Sequence, residues 1–372
     1  MQVPALVIGV GLNALGVMRS LGRARIPLWN ANPQHDYVRS SRWHCPAPVG
    51  LEDDQPLAEY LERLPVDRAV LFPASDDRVL EASRLRPSLR ERFPVSIAEA
   101  GTLDALLDKL SLARLLQERG LPHPRTYAEL QEAPDDVFAN AFLKPRDSLA
   151  FNRRYGVKGV RVSSRADALS RQFEGELVLQ EYIPGGADRH YFLDGFAGRD
   201  GDIPAMFARR RVRMYPPDFG NSSSMISIAL AEIAEAVGAL ERLLRDLRYR
   251  GIFSAEFKHD PRDGLFKLLE VNCRPWWFNG FAADCGVDTA LMAYQDALGL
   301  PVPQVERYRE GVRMAYSFND LRAVIRTRTP LAQALRFWFG AHDALFARDD
   351  PRPFFRYARE QTARMLRGAV RG

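Results

Sequence analysis

Over the first hundred or so residues, short apolar runs alternate with stretches of helical spacing, and this rhythm constrains the fold more than any other feature. Residues 4–10 form an apolar run that ends in a glycine turn. Residues 14–22 have helical spacing, and 26–30 read as a second strand. The pattern repeats with a helix over 57–64, a strand over 68–72 and a helix from 76 to 83. Such strand–helix–strand alternation predicts a parallel sheet covered on both faces. An amphipathic helix is expected over 103–119, stopped by Gly120-Leu-Pro-His-Pro124. Mixed short strands and turns extend to about 275, and helical material dominates from 288 onward. The fold class expected is therefore α/β (α+β), without internal repeats or low-complexity segments.

At 372 residues the chain is long enough for two or three domains and a sizeable core. Its 46% hydrophobic and 27% charged residues are those of a globular protein, which excludes general disorder. A net charge of +5 favours anionic ligands and does not point to nucleic acid. Cys45, Cys273 and Cys285 are scattered and lack C-x-x-C spacing. They argue against a disulfide framework or a zinc site and fit a reducing cytoplasm. No apolar run approaches the ~18 residues of a membrane span. The start, MQVPALVIGVG, has no basic region before its apolar run and is expected to be a strand, not a signal peptide. From about 331 the tail is rich in aromatics and arginines. It reads as a packed C-terminal helix with a solvated basic face, or alternatively as a membrane-surface or partner helix.

Residues 251–275 read as two strands joined by the breaker D-P-R-D-G. In a hairpin centred near Asp263, Glu256 lies opposite Glu270, and period two puts Glu270, Asn272 and Arg274 on one face. Two carboxylates and an amide oxygen form a hard-oxygen set suited to Mg²⁺, with a guanidinium fork beside it for phosphate or carboxylate. A surface hairpin with solvated charges is the plainer alternative. Lys109 begins a helical stretch, and Lys144 ends the apolar run Phe142-Leu-Lys-Pro145. An ammonium leaving a buried strand needs an anion or a path to solvent. Lys158 follows a polar stretch, 146–155, that resembles a flap. Another apolar strand breaks just after Glu181 into Tyr182-Ile183-Pro184-Gly185, with Asp188 beyond it. Along 206–214, period two places Arg209, Arg211 and Arg213 on one face, either as a solvated edge or as a cradle for an acid or a phosphate. Gly9, Gly11 and Gly16 are spaced G-x-G-x-x-x-x-G. That is not the dinucleotide spacing, and no acid follows strand two; a tight strand-to-helix turn explains them equally well.

Taken in order, these elements resemble the ATP-grasp superfamily. The series is D-K at Lys109, G-L-P-x-P, F-L-K-P at Lys144, Q-E-Y-I-P-G at Glu181, A-E-F at Glu256 and L-E-V-N-C-R at Glu270. Within it, G-x-G-L-N-A-L-G, Ser40-Ser-Arg-Trp43, Pro73-Ala-Ser-Asp76 and the Arg-rich Tyr-Pro-Pro segment resemble a carboxylate–amine ligase branch near D-aspartate ligase. The ATP site is also similar to those of biotin carboxylase and D-alanine–D-alanine ligase. The resemblance implies a Rossmann-like pre-ATP-grasp domain over 1–102, an ATP-grasp domain over 103–300 with a lid at about 123–182, and a helical C-terminal segment over 301–372. It assigns Lys109, Lys144 and Lys158 to the ATP phosphates, Glu181, Tyr182 and Ile183 to adenine, and Asp188 to the ribose. Mg²⁺ (two ions, or Mn²⁺ in their place) falls to Glu256, Glu270 and Asn272. Arg274 falls to the transferring phosphoryl group. Arg209, Arg211, Arg213 and Trp276 are candidates for the acid substrate, with Arg213 also catalytic. Cys273, where proline is common, is expected to point to the other face. The activity implied is amide formation from a small carboxylate and an amine through an acyl phosphate, with ADP and phosphate released, in a cytoplasmic enzyme for which a homodimer is the assembly considered. Alternatives are a carboxylase or other acyl-phosphate ligase, a dinucleotide-dependent oxidoreductase, and a non-catalytic nucleotide-binding protein.

Overall fold

The computed structural model describes the chain apart from residues 1, 32–36, 53, 90, 146–158, 172–176, 200, 218–219 and 370–372. Three strands, β1 (Ala5–Ile8), β2 (Leu28–Asn30) and β3 (Val70–Pro73), form the parallel sheet expected of the first domain, in the order β2-β1-β3. Helices α1 (Gly11–Arg23), α2 (Leu57–Arg63) and α3 (Asp76–Leu89) alternate with them. Every residue of β1 is buried, as a strand covered on both faces requires. Leu6 and Ile8 enter one core, which also holds Leu193, Phe253 and Phe257. Ala5 and Val7 enter a second, with Phe196, Phe207 and Phe281. The first domain and the large sheet that follows are therefore packed through common cores. Fully buried side chains such as Phe253 and Phe257 each contribute about 1.5–3 kcal/mol.

The single helix expected over 103–119 is instead two, α4 (Ala100–Leu107) and α5 (Lys109–Glu118). Asp108 breaks it: its backbone is extended and its carboxylate accepts the amide of Ser111 at 2.8 Å, capping α5. The cap fixes Lys109 as the first residue of the new helix.

A small antiparallel sheet follows, built from β4 (Thr126–Tyr127), β5 (Ala141–Pro145), β6 (Val160–Val162) and β7 (Leu177–Glu181) in the order β4-β7-β5-β6. Short helices α6 (Asp135–Phe138) and α7 (Arg165–Ser170) accompany it. Its own core of Val137, Phe138, Leu143, Val162 and Leu179 is separate from the other two.

The large sheet contains β8 (His190–Ala197), β9 (Ala205–Tyr215), β10 (Asn221–Ile228), β11 (Gly251–His259) and β12 (Phe266–Asn272), with α8 (Ala234–Asp246) between β10 and β11. Helices α9 (Asn279–Cys285) and α10 (Thr289–Ala297) come next. The region beyond 300, expected as helical, supplies strands as well. β13 (Arg313–Ala315) pairs with β10 and β14 (His342–Asp343) with β13, giving the order β12-β11-β8-β9-β10-β13-β14. These strands are two and three residues long, too short to show a period of two in the sequence. Helices α11 (Ser317–Arg326), α12 (Leu331–Trp338) and α13 (Arg352–Ala369) complete the chain.

Candidate active site

The pairing of β11 with β12 sets Glu256 directly opposite Glu270 and Ser254 opposite Asn272, as the hairpin predicts. On the other side of β11, Glu256 faces Phe192 and Ser254 faces Asp194 of β8. One face of the sheet is thus polar, while Ala255, Phe257, Leu193 and Val271 turn the other way into the core. Cys273 is buried there too, and burial pushes its thiol up to about 12. Asn272 Nδ2 donates to Glu270 Oε1 at 3.3 Å, and Asn272 Oδ1 accepts from Arg274 at 3.0 Å. Arg274 makes a bidentate pair with Asp76, the first residue of α3, at 2.8 and 3.0 Å.

Burial alone would raise the Glu256 carboxyl. Arg211, the His190 hydrogen bond and Arg209 outweigh it and hold the group well below the usual carboxylate range. His190 Nδ1 donates to Glu256 Oε1 at 2.6 Å, and Arg211 Nη2 donates to the same oxygen at 3.1 Å. Burial, reinforced by Arg211, lowers His190 to about 4, so the imidazole is neutral near pH 7. Sequence reasoning missed His190: it stands alone at the start of β8, in no recognisable motif. The donor set fits a hard cation. Glu256 is held ionised, Glu270 faces it across the ladder, and one amide oxygen stands beside them. No cluster of three His, Cys, Asp or Glu suited to a metal occurs among the described residues. A Mg²⁺ ion here would draw its remaining ligands from water and phosphate.

β9 has a strand on each side, so its arginines do not form a solvated edge. Arg209, Arg211 and Arg213 are buried, and Arg210 between them is only partly so. The three do not form one cradle, which corrects the expectation. Arg209 is paired with the fully buried Asp194 at 2.6 Å and stacked over Phe192 at 3.9 Å. Arg213 is held through Nε at 3.0 Å, and through Nη2, by the fully buried Asp320 of α11. A buried guanidinium needs a buried counter-charge, and these two have their own. Only Arg211 turns to the carboxylate pair, with Ser222 Oγ at 2.8 Å as its second anchor. The partners Asp194 and Asp320 lie 15 and 107 residues from their arginines, separations that no local pattern reveals.

From the small sheet, Lys144 donates to Gln180 Oε1 at 2.6 Å. Burial lowers its ammonium from the usual value, Glu270 and Glu256 oppose the shift and Lys109 adds to it. Both lysines and both glutamates therefore share one electrostatic neighbourhood. The Glu181 carboxylate is buried between Arg262 at 2.8 Å and the Arg125 amide at 3.2 Å. Burial alone would raise it, but these donors hold it below its usual value. The Glu181 and Tyr182 amides donate to the Arg125 and Asn140 carbonyls at 2.9 Å, which fixes this stretch in extended form. The Tyr182 ring lies 4.5 Å from Lys258 Nζ and 4.7 Å from the Arg161 guanidinium. Ile183 is buried, and Asp188 is exposed in a turn. Lys158 and the flap-like stretch at 146–155 lie outside the described residues. Trp276 is 4% exposed and packed in the core with Phe278 and Phe281, which counts against its facing a substrate, whereas Trp277 is 39% exposed. A cleft of 440 Å³, partly open to solvent, lies elsewhere, against Gly16, Arg19, Trp277 and His342.

The glycine loop is filled by protein atoms. A Cβ on Gly16 would sit 1.8 Å from Asn279 Oδ1, and one on Gly9 would sit 2.7 Å from Ala74 Cβ. Asn30, standing where a ribose-binding acid would be, donates to the Val7 carbonyl at 3.1 Å.

No family model matches the chain. A D-aspartate ligase from Enterococcus faecium (strain Aus0004) is 22% identical over 331 residues, spanning 78% of this chain and 76% of that protein. Among solved structures, N5-carboxyaminoimidazole ribonucleotide synthetase from Thermotoga maritima superposes with a TM-score of 0.60 at 16% identity, covering 82% of this chain and 78% of that one. A biotin carboxylase–β,γ-ATP complex from Campylobacter jejuni gives 0.62 at 14% identity, with 84% and 74% covered. The carboxyaminoimidazole ribonucleotide synthase of Aspergillus clavatus, complexed with ATP, gives 0.62 at 14%, with 81% and 78% covered. These likenesses show the fold: the chain has the α/β ATP-grasp fold that the sequence resemblance implies.

Proposed function

We propose that the protein transfers the γ-phosphoryl group of ATP to a small carboxylate, releasing ADP and forming an acyl phosphate, which an amine then attacks to give an amide and release phosphate. The observation that carries this reading is the facing of Glu256 and Glu270 across the ladder, with Arg211 bonded to Glu256 at 3.1 Å and the Lys144 ammonium under the charge of both glutamates. ATP phosphates are the anions that Lys144 and Lys109 suit, and the glutamates with Asn272 would hold two Mg²⁺ ions, or Mn²⁺, which supply charge neutralisation when bound. In this reading Lys144 and Lys109 orient the phosphates, with Gln180 fixing the Lys144 ammonium. Adenine lies along Glu181 to Ile183, and Asp188 is near enough in sequence to meet the ribose. Arg211 and Arg274 neutralise charge on the transferring group, while Arg209 and Arg213 support the strand that carries Arg211. The D-aspartate ligase likeness favours an amine as the nucleophile, and an amino acid as one substrate.

The test is ADP release across a panel of carboxylates, with hydroxylamine present to trap the acyl phosphate as hydroxamate. Glu270→Gln should lower the rate by more than ~10²-fold without loss of fold, the scale of one electrostatic contact in the transition state. Wild-type turnover in that variant would remove the metal assignment. ADP release without hydroxamate from any acid would remove the acyl phosphate.

A further inference from the structure

The C-terminal helices present a surface that the ligase reading does not use. In α11, Leu321 and Ile325 lie one turn apart and are 47% and 67% exposed, while Asp320, Ala323 and Val324 face inward. In α12, Leu331 and Leu335 are 64% and 54% exposed, and only Ala334 is buried. Phe339, just past α12, is 85% exposed, and Phe355 of α13 is 62% exposed. Side-chain hydrogen bonds link the three helices. Trp338 donates to Asp320 at 2.7 Å across α12 and α11, and Arg322 bonds Gln361 at 3.0 Å across α11 and α13. Within the tail from about 331, the apolar side chains of α12 turn outward, whereas Phe354 and Tyr357 of α13 pack against the core. An exposed apolar stripe rimmed by charge marks an interaction surface.

Charge selects the occupant. Residues 317–372 hold eleven arginines against five acidic residues, a net of +6, while the whole chain is +5, so the other 316 residues sum to −1. Arg326, Arg328, Arg336, Arg352 and Arg359 are exposed on and between these helices. A second copy would bring the same positive face against this one. A nucleic acid would leave the leucines and phenylalanines without a role. We propose that α11, α12 and α13 dock the enzyme on an anionic lipid surface, with the apolar side chains entering the headgroup boundary and the arginines facing lipid phosphates. No described helix is long and apolar enough to cross a membrane, so the contact is peripheral.

Vesicle flotation with the full chain tests this. Wild type should float with vesicles containing about three parts in ten phosphatidylglycerol, stay behind with pure phosphatidylcholine, and release near 1 M salt, where charges are screened beyond ~3 Å. Ile325→Ser with Phe339→Ser should abolish flotation while ATP turnover and melting temperature stay at wild-type values. Arg326→Gln with Arg336→Gln should weaken vesicle affinity about 25-fold, since each arginine near an anionic surface is worth roughly a factor of five. The arginine pair serves as the independent test should the serine pair fail to fold. The proposal falls if wild type ignores anionic vesicles, or if flotation survives both pairs of changes. It falls equally if the serine pair converts a dimer to a monomer with no vesicle binding in either, which would assign the face to a second copy.

Discussion

Asp320→Asn asks whether Arg213 belongs to the framework or to the chemistry. Asp320 is fully buried and collects donors from Arg213 Nε at 3.0 Å, Arg213 Nη2, Ser223 Oγ at 2.8 Å and Trp338 Nε1 at 2.7 Å. Asparagine keeps the volume, removes the charge, and turns one acceptor into a donor among donors. The Arg213 side chain, 9% exposed, then keeps its charge with no counter-ion. Breaking a buried pair in this way costs about 3–5 kcal/mol, a large share of the ~5–15 kcal/mol that holds most proteins folded. Removing both charges with Arg213→Met and Asp320→Leu should cost less than removing Asp320 alone, because no ion is stranded. The pH dependence has a definite sign. Burial alone would raise the Asp320 carboxyl, but Arg213, Trp338 and Ser223 hold it below its usual value. A depressed carboxyl contributes stability above its unfolded value of ~4 and loses it as pH falls through the folded one, so wild type and variant should converge in acid. The assay is urea unfolding followed by tryptophan fluorescence, with turnover measured per folded enzyme. A loss under ~1 kcal/mol refutes the structural role. A loss above ~10²-fold in kcat for fully folded variant would return Arg213 to the catalytic set.

Arg262→Ala removes one of the two arginines on the Glu181 carboxylate, and it should raise KM for ATP about three- to tenfold with a smaller change in kcat. The effect is modest because the Arg262 side chain is 45% exposed and water screens its charge; an unchanged KM would separate Glu181 from nucleotide binding. Gly16→Ala places a methyl 1.8 Å from Asn279 Oδ1 and should cost about 1–3 kcal/mol, read as a lower melting temperature. Gly101→Ala, with nothing within 4 Å of the added Cβ, should be silent, and equal effects would show that the close packing of α1 on α9 is not what Gly16 serves.

What was legible in the sequence was whatever a short period encodes. Period two along 251–275 gave the facing of Glu256 and Glu270 before any coordinates, because an antiparallel hairpin fixes its own register once the turn is known. The same period predicted that Arg209, Arg211 and Arg213 share a face, but not that two of them are already satisfied. Pairing of buried charges is a property of contacts between distant elements, and a strand pattern shows only one partner. Helical spacing likewise carried the reading of 103–119 past Asp108, since apolar periodicity continues across a cap that only backbone geometry reveals. Trp276 and Trp277 are neighbours of identical chemistry, and only the tertiary packing around them makes one core and leaves the other exposed.

These particulars bear on where precision in the site comes from. Glu256, Glu270, Asn272 and Arg211 stand on β11, β12 and β9 of one sheet, and that sheet shares its cores with the first domain. Arg274 is drawn to the same frame from outside, by the carboxylate of Asp76 at the start of α3. The first domain therefore does more than precede the site: it supplies the counter-ion that orients one of the site's guanidiniums. Lys144 comes from a sheet whose core is its own. Its placement against the glutamates rests on polar links such as Lys144–Gln180 within the small sheet and Glu181–Arg262 between the sheets. Apolar packing is stiff and non-directional, whereas an ion pair at a partly exposed arginine opens at small cost. The carboxylates are thus set by the part of the molecule that deforms least, and Lys144 by a sheet tied to that part through polar links.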